Sequence, residues 1–286
     1  MSIPHTAANA AQVELWNGPT GQRWSRLQKR LDDNLRPFAD ATLQRLAPKP
    51  GERIVDVGCG AGDTTLALAD RVQAHGFVLG IDISHPLLQR ATARAANTPE
   101  YPVRFAEADV AAYPFERASF DALFSRFGVM FFADPAAAFA NMRRALKPGG
   151  RIAFCCWRDR RENPWATLPV VAARKHLAEL PAPPGPEEPG PFAFADSARI
   201  RRILTTAGFS QIECERFDPA LIYGGDVTEA ADFLTQMGPI GSVLQDHPEA
   251  VRTAVAATLA ETLASHSDAA GVRLAAATWI VTARSD

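Results

Sequence analysis

The sequence predicts an α/β fold in which short apolar strands alternate with helices around a mostly parallel sheet. An apolar strand at residues 54–57 runs into glycines at positions 58, 60 and 62. A second strand at residues 77–82 ends in a carboxylate 20 residues after Gly62, and an amphipathic helix separates the two strands. This order is typical of a βαβ unit with a ligand at its glycine turn.

The glycine turn allows backbone to approach a ligand closely. Glycine has no Cβ and adopts positive φ readily, so the first strand turns sharply into a helix whose N–H groups face a bound molecule. The spacing is G-x-G-x-G, whereas dinucleotide enzymes use G-x-G-x-x-G to bring a helix against a pyrophosphate. The turn therefore disfavours a nicotinamide dinucleotide and fits a ligand without phosphate.

Acidic residues follow the ends of neighbouring strands. Asp82 stands where a carboxylate accepts hydrogen bonds from both hydroxyls of a ribose. Asp109, near the end of a strand at residues 103–110, is placed to accept from an adenine amino group. Glu107 either faces the same ligand or points into a polar margin, and Asp56 is interpreted as a structural carboxylate that fixes the glycine turn. These strand ends indicate a nucleoside site.

The other elements continue the alternation of strands and helices. Asp63, Thr64 and Thr65 are expected to cap the helix after the glycine turn, and Asp196 and Ser197 to cap a later helix that ends near Gly208. The predicted elements in chain order are a strand at 120–125, a helix at 136–146, a break at 147–150, a strand at 151–157, a helix at 196–207, and strands at 211–217 and 274–284.

Five motifs within residues 50–160 together resemble the class I S-adenosylmethionine-dependent methyltransferases, especially the branch of ubiquinone and menaquinone C-methyltransferases. They are Val55-Asp56-Val57-Gly58-Cys59-Gly60-Ala61-Gly62, Gly80-Ile81-Asp82-Ile83-Ser84, Ala108-Asp109-Val110, Phe120-Asp121 and Leu146-Lys147-Pro148-Gly149-Gly150. The resemblance implies a Rossmann-like, seven-stranded, mostly parallel sheet whose last strand is antiparallel. It also implies S-adenosyl-L-methionine as the cofactor and S-adenosyl-L-homocysteine as its product.

The resemblance further implies that the arm before the first strand closes over the methionine part of the cofactor. Trp16, Arg23 and Trp24 would then cover the cofactor or reach its carboxylate. The alternative is that the two tryptophans, eight residues apart and so nearly on one helix face, anchor the arm to the core. The candidate cofactor-binding residues are Trp16, Arg23, Trp24, Gly58, Cys59, Gly60, Gly62, Thr64, Asp82, Ile83, Asp109, Val110, Ser125 and Arg126.

Helical and proline-rich segments outside this core are expected to act as lids. Prolines over residues 181–191 disfavour regular structure there, and a long loop of this kind is typically functional or mobile. The predicted segments are an N-terminal helical arm at 1–46, the cofactor-binding core at 47–160, a mobile Pro-rich insertion at 161–195, a sixth-strand unit at 196–227, a helical lid insertion at 228–270 over the carboxyl ends of the strands, and a final strand at 271–286.

The acceptor side of the site is less defined. Five apolar residues of the lid segments either line an acceptor pocket or pack in the core: Trp165, Phe192, Phe194, Phe233 and Met237. We assign no catalytic base. Arg126 is a candidate anchor for an anionic acceptor, and Tyr223, His85 and His176 are candidates near the mouth of the site. Helix capping or exposure is the simpler interpretation of His85, and a surface position that of His176.

Composition disfavours several other classes. The net charge of −2 disfavours a nucleic-acid partner, and acids stand among the arginines near residues 158–161 and 199–202. No apolar run reaches the ~20 residues that span a membrane. Residues 1–5 lack a basic region followed by an apolar stretch, so we expect no secretion signal and a cytoplasmic protein. The four cysteines lack metal-ligand spacing, which predicts buried reduced thiols and no metal site.

Two functional hypotheses follow. The first is a methyltransferase acting on a carbon, oxygen or nitrogen nucleophile of a small, largely apolar molecule. The second is a non-catalytic S-adenosylmethionine-binding protein that regulates a partner. The acceptor and the oligomeric state stay open at this point.

Overall fold

The computed structural model describes residues 6–286, so residues 1–5, on which the expectation about a secretion signal rests, lie outside the described residues. Its strands, in chain order, are β1 (Arg53–Val57), β2 (Phe77–Asp82), β3 (Val103–Glu107), β4 (Phe120–Arg126), β5 (Leu146–Trp157), β6 (Ser210–Phe217), β7 (Ala220–Gly224), β8 (Ser267–Asp268), β9 (Gly271–Ala275) and β10 (Thr278–Arg284).

Helices fill most of the remaining chain. They are α1 (Ala10–Asn17), α2 (Pro19–Arg26), α3 (Gln28–Leu46), α4 (Asp63–Val72), α5 (His85–Ala95), α6 (Pro135–Ala145), α7 (Pro164–Ala173), α8 (Ser197–Thr206), α9 (Val227–Gln236), α10 (Gly238–Gln245) and α11 (Glu249–Leu263). Short 3-10 helices span Ala7–Asn9, Val129–Phe131, Arg160–Glu162 and Ala264–His266.

Seven strands form the main sheet in the order β3-β2-β1-β4-β5-β10-β6. The pairs among β1 to β5 are parallel, with Val57 opposite Ile81 and Asp82 opposite Glu107. The last strand, β10, is antiparallel, as the resemblance implies. Because the parallel strands end at the same edge, the glycine turn and the acids that follow β2 and β3 are brought together there.

The main-sheet core explains why consecutive residues are buried in β1, at 54–57, and in β4, at 122–125. Helices α3 and α4 pack on these strands through a buried cluster that includes Leu43, Leu68 and Phe124. A strand that is covered on both faces needs apolar residues at successive positions rather than at alternate ones. This core holds the carboxyl ends of the strands in place.

The chain divides into two compact units. The first comprises the chain up to Trp157 together with residues 186–216 and 279–286, and it contains the main sheet. The second comprises residues 158–185 and 217–278. It holds α7, α9, α10 and α11 and a three-stranded sheet in the order β7-β9-β8, around a core that includes Tyr223, Phe233, Leu259 and Leu274.

Several predicted elements differ in the structure. The single strand expected at 274–284 consists of the end of β9 and all of β10. The Ala276 N–H still donates to the Pro219 carbonyl beside β7, whereas the Ala277 N–H donates to the Asn163 side chain, and this bond separates β9 from β10. Strand β7 was not predicted, and α7 lies within the segment at 161–195 for which no helix was expected.

Helices α1, α2 and α3 lie in the segment predicted as a helical arm, and α9, α10 and α11 fill most of the segment at 228–270 that was predicted to be helical, whereas the role of these segments as lids stays a prediction. Gly18 separates α1 from α2, because Pro19 cannot continue a preceding helix but fits the first turn of the next, and Leu27 separates α2 from α3. The helix predicted at 196–207 is α8, with the Asp196 carboxylate accepting from the Ala198 N–H and Gly208 at positive φ after it.

Within residues 6–286, no helix is long and apolar enough to cross a membrane. No group of three or more histidine, cysteine or acidic residues is placed to hold a metal in the same range. All four cysteines are free thiols, and all but the half-buried Cys214 are buried.

Candidate functional site

The glycine turn joins β1 to α4 with positive φ at Gly58, Gly60 and Gly62. A Cβ on Gly58 would lie 2.7 Å from the Gly128 Cα, and one on Gly62 would lie 2.9 Å from the Ala91 Cβ. The nearest heavy atom to a Cβ on Gly60 is the Leu87 Cδ1, 4.0 Å away. Gly58 and Gly62 are therefore required by packing within the protein, whereas the space beside Gly60 is open.

Asp82 faces this turn across the sheet edge. One carboxylate oxygen accepts from the Gly60 N–H at 2.7 Å and the other from the Ser84 N–H at 2.8 Å. Burial raises the pKa of the Asp82 carboxyl, and these backbone N–H groups oppose that rise. A carboxylate has about four acceptor positions on its two oxygens, so it keeps capacity for a further donor such as a ribose hydroxyl.

Asp56 lies beneath the turn and is fully buried. One of its oxygens accepts from the hydroxyls of Thr64 and Thr65, both at 2.7 Å. The other has no hydrogen-bond partner among the described residues. Burial raises the pKa of this carboxyl to about 6. The prediction that Asp63, Thr64 and Thr65 cap α4 is wrong, because the N-cap is Gly62 and receives no side-chain bond.

Two arginines and two aspartates form a closed network beside the turn. Arg126, at the end of β4, contacts Asp32 at 3.2 Å and Asp63 at 3.1 Å. Arg94 contacts the same two carboxylates at 2.9 and 3.2 Å and also donates to the Ala61 carbonyl at 2.9 Å. The network joins α3, α4, α5 and β4, and it gives Arg126 two carboxylate partners. Its role as an anchor for an anionic acceptor stays a prediction.

The aromatic residues of the arm contact each other and the sheet edge. Trp16 packs edge to face against Trp24 and against Phe131, both with ring centroids 5.4 Å apart. The break at Gly18 places the two tryptophans on different helices, α1 and α2, rather than on one helix face. Arg23 is buried in α2, where desolvation and the nearby Arg26 lower the pKa of its guanidinium. These contacts favour the anchoring interpretation of the tryptophans.

The first turn of the arm reaches Asp109. Asn9 donates to one Asp109 oxygen at 2.8 Å, and Thr6 donates to the same oxygen through its N–H and its hydroxyl, at 3.1 and 3.2 Å. The Ala111 N–H donates to the other oxygen at 2.9 Å. At the other end of α1, Asn17 donates to the Ile83 carbonyl and accepts from the His85 N–H, both at 2.8 Å. Helix α1 is thus fixed at both ends to segments that follow β2 and β3.

The remaining predicted cofactor residues lie at the same edge of the sheet. The Ser125 hydroxyl donates to the Val57 carbonyl at 2.7 Å and accepts from the Gly128 N–H at 3.1 Å, which ties β4 to the glycine turn. Val110 and Cys59 are buried, and burial raises the pKa of the Cys59 thiol well above its ordinary value. The direct contacts of these residues with a cofactor stay predictions.

A strained residue stands next to Arg126. Phe127 has a φ of 63°, which is uncommon for a bulky side chain. Its ring stacks on Trp157 at 4.3 Å and meets Phe38 edge to face at 5.2 Å. This buried aromatic cluster lies at the carboxyl ends of β4 and β5, and backbone strain of this kind is often found near functional sites.

The candidate bases lie in different surroundings. His85 begins α5 and is exposed, with its Nδ1 2.6 Å from the Glu107 carboxylate, so Glu107 has a partner at the polar margin. His176 is exposed, as expected, and contacts the Thr258 hydroxyl. Tyr223 lies in the second unit, where burial raises the pKa of its phenol.

The apolar acceptor candidates divide between the two units. Phe194 is buried in the first unit and packs on Phe139 and Phe154, so core packing accounts for it. Phe192 also lies in the first unit. Trp165, Phe233 and Met237 lie in the second, where Phe233 is buried. A role for any of them in binding an acceptor stays a prediction.

Sequence reasoning missed several residues of this region: Asn9, Asn17, Asp32, Arg94 and Gly128. Each one acts through a partner that is distant in the chain, which no local pattern indicates. Gly128 alone had a local signal, because it is a glycine two residues after a largely buried strand, much as Gly58 follows β1.

Comparison with known proteins identifies related chains. Residues 55–154 match the family model described as a methyltransferase domain. A demethylmenaquinone methyltransferase of Staphylococcus haemolyticus is 30% identical over 182 residues, which cover 59% of this chain and 73% of the relative. The O-methyltransferase cnsE of Penicillium expansum is 30% identical over 217 residues, covering 70% and 73% respectively. The chain spans 34% to 52% of the length of several other curated relatives that it matches.

Solved structures agree on the fold. The YcgJ protein of Bacillus subtilis superimposes with a TM-score of 0.58 at 15% identity, covering 87% of this chain and 98% of that one. At this identity the similarity concerns the fold, and it is consistent with the predicted Rossmann-like sheet.

Proposed function

Because this chain belongs to the class I S-adenosylmethionine-dependent methyltransferases, we propose that it binds S-adenosyl-L-methionine and methylates a small, largely apolar molecule. The arrangement of Asp82 and Gly60 carries the proposal. A carboxylate with acceptor capacity beyond its backbone partners stands beside a glycine with open space around it. This arrangement suits a ribose diol next to a ligand chain that follows the glycine turn.

The residues present fit the proposed cofactor. Asp82 would accept from the ribose hydroxyls and Asp109 from the adenine amino group. The carbonyls of the glycine turn would accept from the amino group of the methionine part. Asp56 adds a buried carboxylate oxygen without a partner among the described residues, as expected where a polar ligand approaches the turn.

The proposed methyl transfer requires little acid–base catalysis by the protein. When bound, the cofactor supplies a methyl group on a positively charged sulfur, which is an excellent leaving group. The protein then has to align the nucleophile with the carbon–sulfur bond and keep water away from it. We accordingly assign no catalytic base to this chain.

The proposed acceptor is apolar, and its nucleophile is a carbon, oxygen or nitrogen atom. The aromatic cluster of Phe38, Phe127 and Trp157 supports the apolar character. One relative is named for demethylmenaquinone and another as an O-methyltransferase, so quinone-like rings and phenols are the first acceptors to screen. The net charge of −2 and the four free cysteines support the further proposal of a cytoplasmic protein without a nucleic-acid partner.

Calorimetric titration with S-adenosylmethionine and S-adenosylhomocysteine tests the binding step. We expect Asp82→Ala to weaken binding by roughly 1–3 kcal/mol, the cost of losing a charged acceptor. Asp82→Asn preserves the size of the side chain and one of its two bonds to the Gly60 and Ser84 N–H groups, so it disturbs the turn less than Asp82→Ala does. Asp33→Ala, at an exposed acid on α3, is the control and should bind as the wild type does. Unchanged affinity of Asp82→Ala would reject the ribose assignment.

Turnover is tested with a methyl-labelled donor and a panel of quinone-like, phenolic and acidic-carbon acceptors. Label transfer to any of them supports the enzyme. Binding without transfer to any acceptor would favour a non-catalytic binding protein, and binding of neither ligand would contradict both hypotheses.

A further inference from the structure

Asn9 is a buried amide whose orientation is fixed by the protein. Its Oδ1 accepts from the Ala133 N–H at 2.8 Å. Because a backbone N–H can only donate, the other end of the amide must be the NH₂ group. That group donates to the Asp109 carboxylate at 2.8 Å. Asn9 is 4% exposed and Asp109 is 1% exposed, so this contact is shielded from water.

The two oxygens of Asp109 are occupied unequally. Oδ2 receives all three donors from the arm, namely Nδ2 of Asn9 and the N–H and hydroxyl of Thr6. Oδ1 receives the Ala111 N–H among the described residues. A carboxylate oxygen offers two acceptor positions, so Oδ2 is saturated and Oδ1 keeps one position. The arm therefore fixes the carboxylate with one defined acceptor site.

We propose that Asn9 is a positioning residue for nucleobase selection, holding Asp109 so that its Oδ1 accepts the exocyclic amino group of adenine. This inference rests on the proposed function. A base that carries a carbonyl oxygen in place of the amino group would set an acceptor against a shielded carboxylate. Sites built to pair with a donor discriminate strongly against ligands that lack it.

A purely structural role for Asn9 predicts a different effect of its loss on ligand binding. Helix α1 is held at both ends, by Asn9 at its start and by Asn17 at its end. If Asn9 served only to hold the helix, its loss would weaken all ligands of the site equally. Asn17 is a matched control, because it is the same residue type at the last position of α1, whose N-cap is Asn9, and it bonds to the Val13 and Ile83 carbonyls and the His85 N–H, not to Asp109.

The test compares S-adenosylhomocysteine with S-inosylhomocysteine, in which a carbonyl oxygen replaces the amino group. Dissociation constants are measured calorimetrically for the wild type, Asn9→Ala and Asn17→Ala, and circular dichroism monitors folding. We expect the wild type to prefer the adenosyl ligand by roughly 100-fold or more. Asn9→Ala should reduce this preference at least about tenfold, whereas Asn17→Ala should weaken both ligands and leave their ratio unchanged.

An unchanged preference in Asn9→Ala, with both affinities lowered together, would overturn the inference. Equal binding of the two ligands by the wild type would also overturn it, because Asp109 would then not select the base. If the wild type bound neither ligand, the proposed function itself would fail. Should Asn9→Ala not fold, Asn9→Ser retains a hydroxyl that can donate, and an intermediate preference is expected of it.

Discussion

Gly58 and Gly128 meet backbone to backbone at the carboxyl ends of β1 and β4. A Cβ on Gly128 would lie 2.6 Å from the Val57 carbonyl oxygen and 2.9 Å from the Gly58 Cα. Real Cβ contacts are not this short, so both positions exclude every other residue unless the strand ends move apart. The contact sets the separation of the two strands at the point where the proposed methyl donor binds.

The first prediction concerns Gly58. Gly58→Ala should lower the free energy of unfolding by about 2–4 kcal/mol, since a methyl group would clash with Gly128 and the residue would keep a positive φ. Urea unfolding followed by circular dichroism measures the change. An alanine variant as stable as the wild type would show that the two strand ends separate easily.

Gly60 should respond differently to the same substitution. A Cβ there meets no protein atom closer than 4.0 Å, so Gly60→Ala should cost only about 1–2 kcal/mol of stability, for the left-handed backbone. Its main effect should be on the ligand, because the methyl group enters the open space. We expect calorimetry to show affinity for S-adenosylhomocysteine reduced roughly tenfold to hundredfold. Unchanged affinity would place the ligand away from Gly60.

The buried carboxyl of Asp56 predicts a pH dependence. Its pKa is raised from 3.8 to about 6 in the folded protein, so folding favours the protonated form. The stability that this group contributes is therefore complete below about pH 4 and is lost as the pH rises through 6, by about 3 kcal/mol at most. Unfolding free energies of the wild type and Asp56→Asn, measured from pH 4 to 7, should diverge in favour of the variant as the pH rises. A constant difference over this range would contradict the prediction.

Asp32 and Asp33 provide a matched pair of adjacent acids. Asp32→Asn should cost roughly 2–3 kcal/mol of stability, because Arg94 and Arg126 are largely buried and would keep Asp63 as the one carboxylate of the network. Asp33→Asn should leave stability unchanged within error, since its partners Lys29 and Arg36 are exposed. Thermal unfolding of the two variants measures this difference. Equal effects would show that the network contributes no more than an exposed pair.

The sequence predicts best where a local pattern carries the structure. Glycines at positive φ, acids at strand ends and the Asp196 cap each depend on residues within a few positions. The strands of the nucleoside site and their order along the chain could therefore be predicted. The number of strands in the sheet and the antiparallel last strand came from the family resemblance instead, because no spacing in the chain encodes them.

Interactions between distant segments account for what the sequence did not predict. Asn9 lies 100 residues from Asp109, and Arg126 lies 94 from Asp32. Thr64 and Thr65 have a helix-capping sequence, but a buried carboxylate on a neighbouring strand competes for their hydroxyls. Between β9 and β10 the sequence stays apolar through Ala276 and Ala277, and the bond from the Ala277 N–H to Asn163 separates the two strands. In the last two cases a tertiary contact overrides the local signal, and in the first two there is no local signal.

The position of β10 has a consequence for the order of folding. This strand follows β6 by 61 residues in the chain, since β6 ends at Phe217 and β10 begins at Thr278, yet it lies between β5 and β6 in the sheet. During synthesis, β6 therefore leaves the ribosome before the only neighbour through which it joins the sheet. Strands β1 to β5 can pair as they emerge, whereas β6 cannot pair until β10 has been synthesised. In a chain that stopped before residue 278, β6 would have no neighbouring strand in the main sheet.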